Sequence, residues 1–181
     1  MNRIACVLAS LVVVAGLAGC GRASTGVSMF KNWQRVDSHL QVFLDGQEAT
    51  QDQLEKTVKG YSRFTVSEPV ATRPKLKFLI NDPDKFGRIT KVMVSIYQKF
   101  EADYSHQAEF TITAKNINDP MAQMKPDTEY DLGGPGEGFK VFNLTSEVIQ
   151  GVELKPGFQY MLTLAVVADK SETAQIFFET K

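Results

Sequence analysis

The sequence has few of the residues that most often carry chemistry. Its 181 residues include 2 cysteines, 2 histidines and 1 tryptophan. The cysteines are Cys6 and Cys20, both near the amino terminus, so the rest of the chain has no thiol for a disulfide, a thiolate metal site or a cysteine nucleophile. A domain built from the remaining residues depends on its hydrophobic core for stability.

Neither sign of charge is in excess. The formal net charge is -1 at pH 7, and the lysines and arginines are scattered along the chain. A nucleic-acid-binding protein needs a basic stripe that neutralises phosphates. We therefore expect no nucleic acid among the partners.

The residues needed for catalysis are also scarce. Nucleophilic hydrolysis requires a base beside the nucleophile, and neither His39 nor His106 lies next to a nucleophile elbow. The glycine-rich stretch 133–138, GGPGEG, lacks the lysine and the following helix of a phosphate-binding loop, which favours a hairpin or bulge. These patterns predict a protein that is not an enzyme and that uses no cofactor.

The amino terminus has the organisation of a secretory signal. Arg3 provides a positive charge, and an apolar run extends from Ile4 to Gly19. This run is shorter than the roughly 20 apolar residues of a membrane span. Residues 1–19 are therefore predicted to be a signal peptide.

The end of this run resembles the lipobox of bacterial lipoproteins. The residues are Leu17-Ala18-Gly19-Cys20. The resemblance implies that acyl chains such as palmitate are attached to Cys20 and that signal peptidase II cleaves before it. Two or three acyl chains hold a protein firmly on a membrane. In cells with two membranes, Gly21 in place of aspartate favours the outer membrane, facing the periplasm.

Two segments are predicted between the anchor and the main body. Residues 20–38 are small and polar, as expected of a lipidated tether. Residues 39–71 are predicted to form a small β-α-β segment, in which Asp45-Gly46 makes a tight turn and Thr50 caps a helix that ends near Gly60.

The body, residues 75–181, alternates apolar and polar residues with the period of two that is typical of half-buried strands. In one such run, Tyr160, Leu162, Leu164 and Val166 are separated by single residues. Six to eight short strands with turn signals between them predict a mainly β protein with an antiparallel immunoglobulin-like sandwich.

The last thirty residues resemble the end of a fibronectin type III or related immunoglobulin-like domain. The resemblance rests on Leu154-x-Pro156-Gly157-x-x-Tyr160. It implies that Tyr160 forms a tyrosine corner, with its hydroxyl bonded to the preceding loop.

The prolines of the stretch 69–74, PVATRP, suggest a boundary before the sandwich. If so, residues 75–181 fold alone. The alternative is that the strand at 40–44 or 63–66 completes a sheet of the sandwich, in which case its deletion exposes an edge that aggregates.

Two sets of residues are candidate binding sites. Oxygen ligands in two turns are weak candidates for calcium: Asp82, Asp84, Asn118 and Asp119. Four aromatic residues are candidates for a ligand-binding platform: Tyr97, Phe100, Tyr104 and Tyr130.

Together these features predict an accessory lipoprotein of the cell envelope. Its lipid holds it at a membrane, and its sandwich binds or braces a protein partner in an envelope complex. The alternative is a lipoprotein module that binds glycan or peptidoglycan through the four aromatic residues.

Overall fold

The computed structural model describes residues 38–52 and 61–181. The predicted signal peptide, the lipidated Cys20 and all of the predicted tether except Ser38 lie outside these ranges. So do residues 53–60, which contain most of the predicted helix.

The described residues form mainly strands. The helical elements are a single turn, α1 (Pro83–Phe86), and a 3-10 turn (Pro120–Ala122). In chain order the strands are β1 (Leu40–Leu44), β2 (Gln47–Glu48), β3 (Thr50–Gln51), β4 (Tyr61–Thr65), β5 (Lys75–Ile80), β6 (Lys91–Phe100), β7 (Asp103–Tyr104), β8 (Phe110–Ala114), β9 (Tyr130–Asp131), β10 (Phe139–Asn143), β11 (Val148–Ile149), β12 (Gln159–Val167) and β13 (Glu172–Glu179).

The strands form two sheets. The smaller has the antiparallel order β2-β1-β5-β9, and the larger has the order β11-β10-β8-β6-β12-β13-β4-β3, with β7 paired to β6. Within the larger sheet β6, β12 and β13 are neighbours, which matches the C-F-G order of immunoglobulin-like domains. The predicted mainly β sandwich is confirmed.

The period of two in the sequence determines which side chains enter the core. Along β12, Tyr160, Leu162 and Leu164 are each 0% exposed, while the residues between them are half-buried. Opposite them, Ile96 pairs with Leu162, and Val94 pairs with Leu164. The apolar sets of neighbouring strands therefore face the same side of the sheet.

The smaller sheet supplies the other half of the core. Leu40, Val42 and Leu44 of β1 and Leu76 and Phe78 of β5 are at most 2% exposed. They belong to the same hydrophobic cluster as the inward residues of β6 and β12. Burying both inner faces in one cluster is the main source of stability in such a sandwich.

The segment before Lys75 is integrated into both sheets. β1 pairs with β5 in the smaller sheet, and β4 runs parallel to β13 in the larger one. Residues 69–74 also contact the last strand, because Val70 is 0% exposed and its N–H donates to the carbonyl of Glu179 at 2.8 Å.

The start of the described chain is fastened to β13 by Glu172. Its carboxylate accepts hydrogen bonds from the hydroxyls of Ser38 and Ser62, and from the N–H of His39 at 3.0 Å. Ser38 is 8% exposed, so this last residue of the predicted tether lies within the folded body.

The turn predicted at Asp45-Gly46 is confirmed, and the helix cap predicted at Thr50 is wrong. Asp45 and Gly46 have φ angles of 49° and 76° and join β1 to β2 through a two-residue loop, which is the geometry expected of an Asp-Gly hairpin. Thr50 is instead in β3, where it pairs with Thr65. A threonine extends a strand readily when a partner strand is in reach, and this tertiary pairing outweighs the local capping signal.

The predicted tyrosine corner is confirmed. The Tyr160 hydroxyl accepts the backbone N–H of Lys155 at 3.0 Å. Burial raises the pKa of Tyr160, so the neutral phenol is favoured there. The corner fixes the loop at the start of β12, beside the cleft described next.

Candidate functional site

A cleft of about 490 Å³ opens at the end of the sandwich where β6 ends and β12 begins. Its volume is in the range of ligand-binding clefts. It is lined by Gln98, Phe100, Ser105, His106, Gln107, Glu109, Leu144 and Lys155.

The end of β6 and the loops next to it bring these lining residues together. Gln98 and Phe100 are alternate residues at the end of β6, so they face the same side. The Glu109 N–H donates to the carbonyl of Ile96 at 2.7 Å, which holds the approach to β8 against β6. Lys155 comes from the tyrosine-corner loop, and Leu144 from the loop between β10 and β11.

Two acceptors in this cleft are buried and have no hydrogen-bond donor among the described residues. Gln98 is 2% exposed, and its Oε1 atom is unpaired. The Glu109 Oε2 atom is buried and unpaired as well. Such acceptors destabilise a fold, because they lose their hydration and gain no protein partner. Gln98 and Glu109 both line the cleft, so the two unpaired acceptors belong to the same site.

The charge of Glu109 has little compensation. Burial raises the pKa of Glu109, and the positive charge of Lys155 offsets part of this effect. The Lys155 Nζ atom lies 5.9 Å from the centre of the Phe158 ring, where it makes a cation–π contact. Lys155 thus compensates the charge of Glu109 only in part.

Two large apolar side chains are exposed at the cleft, beside the exposed polar residues His106, Gln107 and Lys155. Phe100 is 57% exposed and Leu144 is 56% exposed, which is high for large apolar side chains. Together with Gln98 and Glu109, they give the cleft both apolar and polar walls. Binding sites commonly combine apolar walls with a few polar groups in this way.

The four predicted aromatic residues do not form one platform. Tyr97 lies on the outer face of the larger sheet, where it pairs with Met161. Tyr104 packs edge-on against Phe177 of β13, with ring centres 5.5 Å apart. Of the four, Phe100 lines the cleft.

Tyr130 has a structural role in the smaller sheet. Its hydroxyl accepts the N–H of Lys125 at 2.8 Å, and its ring packs edge-on against Phe139 at 5.5 Å.

The candidate calcium ligands lie in turns. Asp82 precedes α1 and forms an ion pair with Lys85 at 3.1 Å, and Asp84 lies in the first turn of α1. Asp119 accepts the N–H of Met121 at 2.9 Å and caps the 3-10 turn that follows Asn118. Within residues 38–52 and 61–181, no cluster of three or more histidine, cysteine, aspartate or glutamate residues could hold a metal ion.

The cleft does not assemble a nucleophile with a base. The Ser105 hydroxyl donates to the carbonyl of Gln107, and His106 is exposed beside it. His39 lies elsewhere and packs edge-on against Phe86.

Sequence reasoning missed Gln98, Glu109, Leu144 and Lys155. A signal for Gln98 was present, because it occupies the inward position that follows Val92, Val94 and Ile96. A polar residue at the next core position of an alternating strand indicates either a buried hydrogen bond or a site. The other three come from separate loops, which only the tertiary structure brings to β6.

Comparison with known proteins finds no family model and no curated protein that matches this chain. Among the residues that the structure describes, no helix has the length and apolar character needed to cross a membrane.

Proposed function

We propose that this protein is a lipid-anchored, non-catalytic binding protein of the cell envelope, and that its cleft holds a segment of a protein partner. One observation supports this most strongly: exposed apolar side chains and buried, unpaired acceptors share the same cleft. A bound segment covers these apolar side chains and supplies the missing donors.

A protein segment suits both features of the cleft. Its side chains bury Phe100 and Leu144, and burial of apolar surface is the main driving force of most associations. Its N–H groups or polar side chains donate to Gln98 and Glu109. Buried anchor residues of this kind usually dominate the binding energy of an interface.

The anchor follows from the resemblance of the first twenty residues to lipoproteins. Acyl chains on Cys20 place the protein at a membrane, and the tether carries the sandwich away from it. In a cell with two membranes, Gly21 favours the outer membrane and a partner in the periplasm. The lipid then keeps the cleft close to other proteins of an envelope assembly.

Photo-crosslinking in intact cells tests the proposal. In the test, a photoreactive amino acid replaces Leu144 at the cleft. In the control it replaces Met121, which is 69% exposed and lies in the 3-10 turn that follows β8, at the end of β8 away from the cleft. We expect a discrete adduct with one protein from position 144 and none from position 121.

Two outcomes contradict the proposal. Equal adducts from both positions would indicate non-specific collisions. An adduct between position 144 and polysaccharide, with no protein adduct, would favour the glycan-binding alternative.

A further inference from the structure

We infer that the cleft receives an arginine side chain of the partner, with the guanidinium on Gln98 and Glu109 and the aliphatic stem between Phe100 and Leu144. This inference rests on the proposed function and specifies the chemistry of the same site.

The unpaired atoms in the cleft require donors from the ligand. Gln98 Oε1 and Glu109 Oε2 are both acceptors, and both are buried. A ligand that presents only acceptors, such as a carboxylate or a phosphate, would leave them unpaired and add repulsion from Glu109. The cleft therefore selects donor groups.

The charge of the cleft selects a cation among the possible donors. Glu109 is ionisable and has no ion pair within the described part of the chain, and the Lys155 ammonium, which also lines the cleft, compensates its charge only in part. Hydrogen bonds to a charged acceptor are stronger than those between neutral groups. A positive donor satisfies both the charge and the hydrogen-bonding capacity of Glu109.

The walls and the two acceptors favour arginine over lysine. A guanidinium has five N–H donors in a planar fork, so one group can reach a carboxylate and an amide oxygen together. It also stacks on aromatic rings, and Phe100 offers an exposed one. The methylene stem of arginine packs on apolar surface such as that of Leu144.

The test uses the full chain in detergent micelles, labelled with ¹⁵N. Nα-acetyl-arginine amide is titrated while the Gln98 side-chain amide and the Glu109 backbone N–H are followed by NMR. The corresponding citrulline, lysine and norleucine compounds serve as comparisons, since citrulline has nearly the shape of arginine without the charge. We expect saturable shifts at both residues with arginine and weaker effects with the other three.

Variants show whether the binding depends on the proposed atoms. Glu109→Gln should weaken arginine binding by about tenfold or more, since it removes a charge-assisted hydrogen bond. Gln98→Met, which keeps the length of the side chain and removes the acceptor, should weaken it by a smaller factor. Glu137→Gln, an exposed substitution in the glycine-rich loop, should leave it unchanged.

Several results would overturn the inference. Equal binding of citrulline or norleucine would show that the charge is not recognised, and tighter binding of lysine would assign the cleft to an ammonium. An unchanged affinity for arginine in Glu109→Gln would place the ligand elsewhere.

Failure of this inference is distinguishable from failure of the proposed function. If the position-144 crosslink to a protein persists while arginine does not bind, the proposed function stands and the arginine assignment is wrong. If the crosslink is also lost, both are wrong.

Discussion

Tyr130 and Tyr160 form the same hydrogen bond in the two sheets. The hydroxyl of each accepts the backbone N–H of the lysine five residues before it, at 2.8 Å for Tyr130 and 3.0 Å for Tyr160. The loops before the two tyrosines share a further feature: the residue two positions after each lysine has a left-handed backbone conformation. These residues are Asp127, with φ 58°, and Gly157, with φ 73°. The sandwich thus has a tyrosine corner in each sheet.

The two corners predict a graded loss of stability. Tyr160→Phe should lower the free energy of unfolding by about 1 kcal/mol, the usual net value of one hydrogen bond. Tyr130→Phe should cost less, because Tyr130 is only half-buried and water can replace its hydroxyl at the Lys125 N–H. Urea unfolding of both variants measures the difference, and equal stability of Tyr160→Phe and the wild type would contradict the role of the corner.

Glu109 should make stability depend on pH. Burial raises the pKa of Glu109 above its ordinary value of 4.5, so the folded state binds this proton more tightly than the unfolded state does. Its contribution to stability is therefore complete below about pH 4.5 and is lost as the pH rises through the folded-state pKa.

Glu109→Gln should remove the cost of burying the ionised carboxylate. The variant should therefore be more stable than the wild type at pH 7 and show little gain in stability at pH 4. Urea unfolding at both pH values tests this, with Glu137→Gln as the control. If Glu109→Gln is less stable than the wild type at pH 7, the ionised carboxylate stabilises the fold. That result would contradict the expectation drawn from its missing hydrogen-bond donors.

Gly151 should tolerate no side chain. A Cβ atom at this position would overlap the carbonyl of Gly133, because the two backbone segments lie in direct contact there. Gly151→Ala should therefore cost roughly 2 kcal/mol or more, in the range of overpacked sites. Gly134→Ala is the matched control, since nothing lies within 4 Å of an added Cβ there. Thermal melts compare the two, and an equal effect would contradict the close approach.

Removal of residues 1–74 should prevent correct folding. The deletion exposes β5 and β13 as edges and takes buried side chains from the core: Leu40, Val42, Leu44, Phe64, Val66 and Val70. We expect aggregation, because open apolar edges pair with other chains. Deletion of residues 1–37 is the control and should leave a soluble monomer. A cooperative melt of residues 75–181 alone would show that the body is self-sufficient.

Cys20→Ala should abolish maturation. If the thiol carries the acyl chain that signal peptidase II recognises, the variant stays as an unlipidated precursor with its signal peptide attached. Mass spectrometry of the purified protein measures this directly. Cys6→Ala serves as the control and should mature normally. Lipidation or cleavage of Cys20→Ala at the usual position would refute the lipoprotein assignment.

The strands and one corner could be read from the sequence because they depend on local patterns. Leu162 and Leu164 face the core because side chains alternate along any strand, and the sequence shows this period as apolar residues at every second position. The turn at Asp45-Gly46 follows from the backbone angles that these residues adopt easily. The second corner was also within reach, since Lys125-Pro126 precedes Tyr130 just as Lys155-Pro156 precedes Tyr160.

Pairings between distant segments were decided by the tertiary structure. The parallel pairing of β4 with β13 joins Phe64 to Ile176, and no local pattern specifies a partner so far along the chain. Thr50 is an example: its sequence context favours a helix cap, but pairing with Thr65 of β4 places it in a strand.

The candidate site depends on such pairings throughout. Gln98 is marked by the alternation of β6, but Glu109, Leu144 and Lys155 come from three different loops that meet only when the sheets pack. The sequence by itself therefore determined the class of fold, which follows from patterns of neighbouring residues. A pattern of the same kind predicts the anchor. The cleft and its unpaired acceptors were decided by packing, because burial depends on what the rest of the chain places around an atom.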